Sequence, residues 1–161
     1  MNIFILDLNV NKNATYYCDR HVIKMILETA QILSSALTML GVDHNGYACT
    51  HVHHPCTRWA RDLRNWVYLR SLGRALGEEY THRYGKTHKS IGIINGLPIP
   101  EMTVARPTTF ALAMPVEYHQ YVFDDFDLVL DPVLSYRAYY KSKQDKFKMT
   151  WTKRKVPFWF N

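Results

Sequence analysis

The sequence predicts a mainly α protein: a single compact domain over residues 1–161, built of several packed helices with long irregular connections. Two stretches carry that expectation. Residues 19–40, DRHVIKMILETAQILSSALTML, are apolar at most positions and free of Gly and Pro, as a buried central helix should be. Residues 55–84 place Trp59, Trp66, Leu69 and Leu76 on one face of a second helical pattern. A hydrophobic content of 47% excludes a disordered chain, and this length allows one domain with a sizeable core.

Taken in order, residues 3–8 (IFILDL) read as a short buried strand or an extended lead-in. Residues 9–15 read as a polar loop. Asp19 is the expected N-cap of the first long helix and Gly41 its stop. Residues 41–53 form a connector with an Asn45-Gly46 turn. Pro55 suits a first helical turn. A break is expected near Gly73 or Gly77, and Gly85 closes the pattern. Residues 84–89 make a basic turn. Residues 91–115, with prolines at 98, 100 and 107, read as loop, with one helical turn at 110–114. Residues 117–131 give no clear pattern. Residues 132–150 form a last helix, and the tail WTKRKVPFWFN follows.

The first long helix also carries His21, Lys24, Glu28 and Gln31. At about 100° per residue these fall in a stripe roughly 80° wide. Ionisable groups on a buried helix are costly unless they are paired or face a cleft. The stripe is therefore either an i,i+4 ion pair of Lys24 with Glu28 or the wall of an active site. A carboxylate, an amine and an imidazole on one rigid helix suit acid/base or nucleophilic chemistry.

The formal charge is +6, and residues 136–155 alone carry a net +7. Such a concentration points to a polyanionic partner, nucleic acid first. On the second helix Arg58, Arg61 and Asn65 share a polar face, and the guanidinium fork suits phosphate. The tail, with Lys153 and Arg154 among aromatics, has the composition that grips phosphates and stacks bases. Folding back onto the core is the alternative use of its aromatic rings.

Three cysteines and no secretory signal pattern suggest reduced thiols and a cytoplasmic setting. No stretch reads as a membrane span, so no membrane partner is expected. The run CTHVHHPC at 49–56, with Cys18 and His21, invites a zinc reading. Its spacing is irregular and lacks a CxxC pair, and a helix start explains His54-Pro55. No metal or other cofactor is expected.

Asp19-Arg20-His21, with Glu28 seven residues after the His, resembles the first helix of the pyrimidine dimer DNA glycosylases of the phage endonuclease V type. His54-Pro55 before a Trp-containing helix, Tyr136-Arg137 and the basic aromatic C-terminus extend the likeness. The resemblance implies an all-α fold and attack of an N-terminal amine on the sugar C1′ of a damaged nucleotide in DNA. Glu28 then assists glycosyl cleavage and strand breakage by β-elimination, and no cofactor is required. His21 would orient the site or touch phosphate. Arg58, Arg61, Arg137 and the basic tail would hold the backbone, with Gln31, His54 and Asn65 lining the substrate.

Three departures stand out, the first being a longer lead from the terminus to Asp19. Asn2 occupies the position of the family's processed Thr, so the free amine is expected on Met1 unless Met1 is removed. Leu27 and Gln31 replace the basic residues that flank the family's Glu. Lys24, one turn from Glu28, is the reserve amine. Two other uses of the same pocket stay open: a nucleotide- or nucleic-acid-binding protein without turnover, and an N-glycosidase on free nucleotides. Protein partners are not legible.

Overall fold

In the computed structural model, residues 1–101, 108–125 and 127–160 are described. Among them are six α-helices and one two-stranded sheet: α1 (Val10–Tyr16), α2 (Asp19–Met39), α3 (Pro55–Trp59), α4 (Leu63–Tyr84), α5 (Ser90–Gly96), β1 (Gln120–Asp124), β2 (Asp127–Asp131) and α6 (Pro132–Lys141). The long helices α2 and α4 pack against each other, α1 and α5 lie on them, and α6 joins the hairpin.

α2 is the centre of the core. Val22, Ile26, Ala30, Ile32, Leu33, Ala36 and Leu37 are fully buried. By length and composition α2 could cross a membrane, yet 67% of that window is buried inside the fold, as in a core helix. Its end is a Schellman motif: the Gly41 N–H donates to Thr38 O and the Val42 N–H to Leu37 O, with Gly41 at φ +71°. Asp19 is not the N-cap. Cys18 holds that position without a side-chain bond, and the Asp19 carboxylate is engaged elsewhere.

The second helical pattern is split at residues 60–62 rather than near Gly73 or Gly77. Asp62 restarts the helix by accepting from the Arg64 N–H. Gly73 stays helical and serves packing: a Cβ there would lie 2.7 Å from Thr29 Cγ2, so its absence lets α4 approach α2. Gly85, at φ +64°, closes α4.

The lead-in takes no strand partner. Side chains satisfy its backbone instead: Phe4 N–H donates to the Tyr17 hydroxyl, Tyr17 returns its proton to Phe4 O, Leu6 N–H donates to Asn13 Oδ1, and Arg137 Nε donates to Leu6 O. Ile3 to Leu6 are thereby buried without a sheet.

Several expectations are corrected. Residues 9–15 are mostly helix α1, because Asn9 caps it and Asn13 turns its amide inward to Phe4 O. Residues 91–115 open with α5, whose Ile94 is buried. Arg70 and Arg74 donate to the C-terminal end of α5 at Ile94 O, Asn95 O and Asn95 Oδ1. Residues 110–114 are irregular, and a 3-10 helix follows at Val116–Tyr118. Pro107 lies outside the described residues. Residues 117–131 hold the antiparallel hairpin, in register from Gln120 with Asp131 to Asp124 with Asp127. The last helix stops at Lys141 and continues only as the 3-10 helix Ser142–Asp145.

The tail folds back. Trp151 is 8% exposed, and its indole N–H donates to Tyr16 O. An ionic network fastens it: Arg83, with a fully buried side chain, bonds Glu79 at 2.6 Å and Asp19 at 2.9 Å, and Arg154 bonds Glu79 at 2.7 Å. Burial pushes the Asp19 and Glu79 carboxyls upward. Hydrogen bonds outweigh it, from Thr152, Thr150 and Arg83 on Asp19 and from Arg154 and Arg83 on Glu79, and hold both below their ordinary range. Their contribution to stability is thus present above about pH 4 and lost as pH falls further. Removing the buried partner is the sharper test. Arg83→Ala should cost about 3–5 kcal/mol in urea unfolding, because it strands buried carboxylates. A cost below about 1 kcal/mol would mean the network contributes no more than a surface pair.

Candidate active site

The lead-in delivers the N-terminus to the polar stripe of α2. Glu28 is 8% exposed. Its Oε2 accepts the backbone N–H of Asn2 at 2.9 Å, and its Oε1 pairs with Lys24 Nζ at 3.1 Å. Asn2 is pinned by its own side chain: Nδ2 donates to Ala113 O at 3.0 Å, while Oδ1 accepts from Ile3 N–H at 2.8 Å and from Tyr136 Oη at 3.4 Å. Burial of Ile3 and Phe4 just behind it fixes the approach of the chain.

His21 lies one turn before Lys24 and is 7% exposed. The Tyr140 hydroxyl accepts the Cys18 N–H and sits 2.8 Å from His21 Nδ1. His21 Nδ1 and the Tyr140 hydroxyl thus share one hydrogen bond, which fixes the plane of the imidazole. Burial, and then the charges of Lys24, Lys143 and Arg20, lower the His21 pKa to about 4, so the ring is neutral at pH 7.

His54 caps α3, its Nδ1 accepting the Cys56 N–H at 3.2 Å. Burial lowers its pKa, the N-terminal ammonium and His51 lower it further, and Glu28 pulls the other way. His54 thus feels both the amine and the carboxylate. The Cys56 thiol, pushed up to about 12 by burial, is no nucleophile at neutral pH.

Asn2, Glu28, Lys24 and His21 border an open cleft of about 430 Å³, whereas His54 and Cys56 lie outside its lining. Met1, Asn2, His21, Lys24 and Glu28 line it together. Arg20, Tyr139, Lys143, Lys146 and Phe147 also line it and were not singled out. Arg20 stands inside the Asp-Arg-His motif, and the two lysines belong to the basic 136–155 segment. Sequence alone does not show which lysines of that segment turn back toward α2. Glu28 shares the cleft lining with the cations Arg20, Lys24, Lys143 and Lys146 and is the sole carboxylate among the described residues lining it.

Other expected site residues lie apart. Gln31 is half-buried one turn beyond Glu28, outside the cleft lining. Arg58 is exposed, and Arg61 donates to Arg58 O. Asn65 is not on a polar face. It is 4% exposed and donates to Trp59 O at 2.9 Å and to Thr108 Oγ1 at 2.5 Å, which links α4 to the chain after Pro107. Arg137 clamps Leu6 O and stacks on Tyr16, Phe158 and Trp159. Arg154 is held by Glu79, and Lys153 donates to His82 O. The zinc reading finds no cluster of three or more His, Cys, Asp or Glu among the described residues.

The buried state of His21 has a measurable signature. Its ring should stay neutral from pH 8 down toward its midpoint at about pH 4 in nitrogen-detected NMR. Because the folded pKa lies below the unfolded value of about 6.5, its effect on stability appears as a loss when pH falls from about 6.5 to about 4. A ring titrating near 6.5 in the folded protein would contradict the burial and the Tyr140 bond.

A family model described as pyrimidine dimer DNA glycosylase matches residues 1–91, more than half of the chain. No curated protein and no solved structure matches it. The matched span contains the lead-in, Glu28, His21, Lys24 and His54, whereas Tyr139, Lys143, Lys146 and Phe147 lie beyond it. With the N-terminus held against a carboxylate of the central helix in a mainly α fold, the chain belongs to the pyrimidine dimer DNA glycosylase family, whose substrate is DNA.

Proposed function

We propose that the protein excises damaged pyrimidines from DNA as an N-glycosylase and cleaves the resulting abasic site as a lyase, with an N-terminal α-amine as nucleophile and Glu28 as the acid/base carboxylate. The observation that carries this reading is the 2.9 Å contact between the backbone nitrogen of residue 2 and Glu28 Oε2. Removal of Met1 turns that peptide nitrogen into a free amine already touching the carboxylate. With Met1 kept, the amine sits one residue farther along the same cleft.

The amine lone pair bonds to C1′ as the glycosidic bond breaks. The base departs with the bonding electrons and takes up a proton. Glu28 stabilises the positive charge developing at the sugar and accepts the proton released by the amine. Ring opening gives an imine between the amine and C1′. Loss of a C2′ proton then expels the 3′ phosphate and breaks the strand. An α-amine suits the task, since its reference pKa is near 8. A lysine needs strong desolvation to serve at neutral pH, and the Lys24 side chain is 60% exposed. Lys24 instead screens Glu28.

Borohydride trapping on irradiated duplex DNA tests the chemistry. An adduct should map to the N-terminal peptide, and its mass tells Met1 from Asn2. Glu28→Gln should lower base excision by about 10²-fold or more while unfolding remains cooperative. An adduct on Lys24, or full activity in Glu28→Gln, contradicts the assignment. Absence of any adduct, with binding to a mononucleotide retained, supports a binding protein without turnover.

Grip on the DNA backbone should come from the cleft more than from the tail. The dependence of log K on log salt should flatten by about 2 in the Lys143→Ala, Lys146→Ala double variant, since each phosphate neutralised on B-DNA adds about 0.9 to the slope. Lys153→Ala should change it less, because Lys153 Nζ is already used on His82 O. An unchanged slope in the double variant would move the backbone elsewhere.

A further inference from the structure

Residue 2 lies at the end of the chain, where backbone frays unless something ties it down. Here its own carboxamide is tied on both sides. Asn2 Nδ2 donates to Ala113 O at 3.0 Å, and Oδ1 accepts the Ile3 N–H at 2.8 Å. Ala113 belongs to residues 108–113, a stretch with neither helix nor strand. Its backbone groups must therefore find partners elsewhere.

The stretch is fastened at both ends. At its start, Asn65 on α4 donates to Thr108 Oγ1 at 2.5 Å. The Phe110 ring centroid then lies 5.6 Å from that of Trp59 and 5.1 Å from that of Tyr68. At its end, the Tyr136 hydroxyl on α6 donates to Ala111 O at 2.5 Å, with Asn2 Oδ1 3.4 Å away, and accepts the Ala113 N–H at 3.4 Å. Tyr136 is fully buried and Asn65 is 4% exposed. Neither lines the cleft. An irregular stretch held this firmly by two helices, and bonded through one carbonyl to the side chain of residue 2, has a use beyond connecting elements. It also lies outside the span that the family model matches, and it grips the residue at which this chain departs from the family's Thr.

Resting on the glycosylase reading above, we propose that residues 108–113 form a strap that positions the nucleophile. By holding the Asn2 carboxamide, the strap keeps the nitrogen of residue 2 at 2.9 Å from Glu28 Oε2. Tyr136 and Asn65 are positioning residues that act through the strap. They take no part in the covalent steps. Binding of DNA does not need the strap, because Arg20, Lys143 and Lys146 reach the cleft from other parts of the chain. Loosening the strap therefore slows chemistry and spares affinity.

That split supplies the test. Single-turnover nicking of a duplex with one abasic site, at saturating protein, gives the rate. The Kd for the same duplex with a tetrahydrofuran in place of the abasic sugar, which forms no imine, gives the affinity. Tyr136→Phe removes only the hydroxyl. Asn2→Leu removes the carboxamide at nearly constant volume and keeps a large residue at position 2, so both proteins should begin at the same residue, as intact mass checks. In each variant the rate should fall about tenfold or more, because a misplacement of about 1 Å costs up to about 10²-fold, while Kd stays within about twofold. The double variant should be no slower than the slower single one, as for two groups acting through one strap. Cooperative thermal unfolding reports that each variant is folded, and if Tyr136→Phe is not, Asn2→Leu decides alone. An unchanged rate, equal losses of rate and affinity, or losses that multiply in the double variant overturn the strap. Each leaves the glycosylase reading standing as long as wild-type protein nicks the duplex and is trapped by borohydride. Wild-type protein that does neither overturns both.

Discussion

Glu28 is a carboxylate on the most apolar helix of the chain, and a charge in that position persists only with partners. One partner is Lys24 on the same helix. The other comes from outside it: the backbone N–H of Asn2, brought there by a lead-in with no sheet to pair with. The rest of the site follows from this requirement. Tyr17, Asn13 and Arg137 bond the backbone of residues 4–6, so Tyr17 and Asn13 on the first turns and Arg137 on α6 act together to hold the N-terminus against α2. Helix α1 is short, yet its Asn13 is what makes an unpaired extended segment tolerable inside the core.

The protein divides its ions between two tasks. At the start of α2 and the end of α4, Asp19, Glu79, Arg83 and Arg154 satisfy one another and fasten the tail. Around the cleft, Arg20, Lys24, Lys143 and Lys146 share the lining with one carboxylate, and this surplus of positive charge suits a polyanion. Asp19 and Glu28, on the same helix, therefore do different work: the first is matched by Arg83, Thr150 and Thr152, while the second is left beside an amine and open space. His21 lies between the two regions and is kept neutral by its burial, so it offers a hydrogen bond without adding charge.

The parts of this arrangement that were legible in the sequence are those set by local periodicity. The apolar run of α2, the stripe of His21, Lys24 and Glu28, and the Trp59 and Trp66 core positions all follow from 3.6-residue spacing. Elements whose stability is tertiary were hidden. α1 is polar by composition and helical because Asn9 and Asn13 find partners. α5 contains Gly92 and is held by burial of Ile94 and by Arg70 and Arg74 from α4. The hairpin exposes Phe123 and Leu128 on one face, which removes the alternation that marks a half-buried strand. In the site, the charge of residues 136–155 was visible. Its partition was not: Arg154 turns to Glu79, Arg137 to Leu6 O, and only Lys143 and Lys146 of that segment reach the cleft as cations. Asn65 misled because a helical polar face does not reveal that α3 and α4 are separate and that its amide closes the gap between them.

The central claim is that the N-terminal nitrogen and Glu28 form one reacting unit. A crystal structure of the borohydride-reduced complex with abasic duplex DNA tests it most directly. The account predicts a covalent bond from C1′ to the N-terminal nitrogen, with a Glu28 oxygen within about 3.5 Å, a hydrogen-bonding or bridged distance. A bond from C1′ to Lys24 Nζ, or a sugar held away from Glu28, would contradict it.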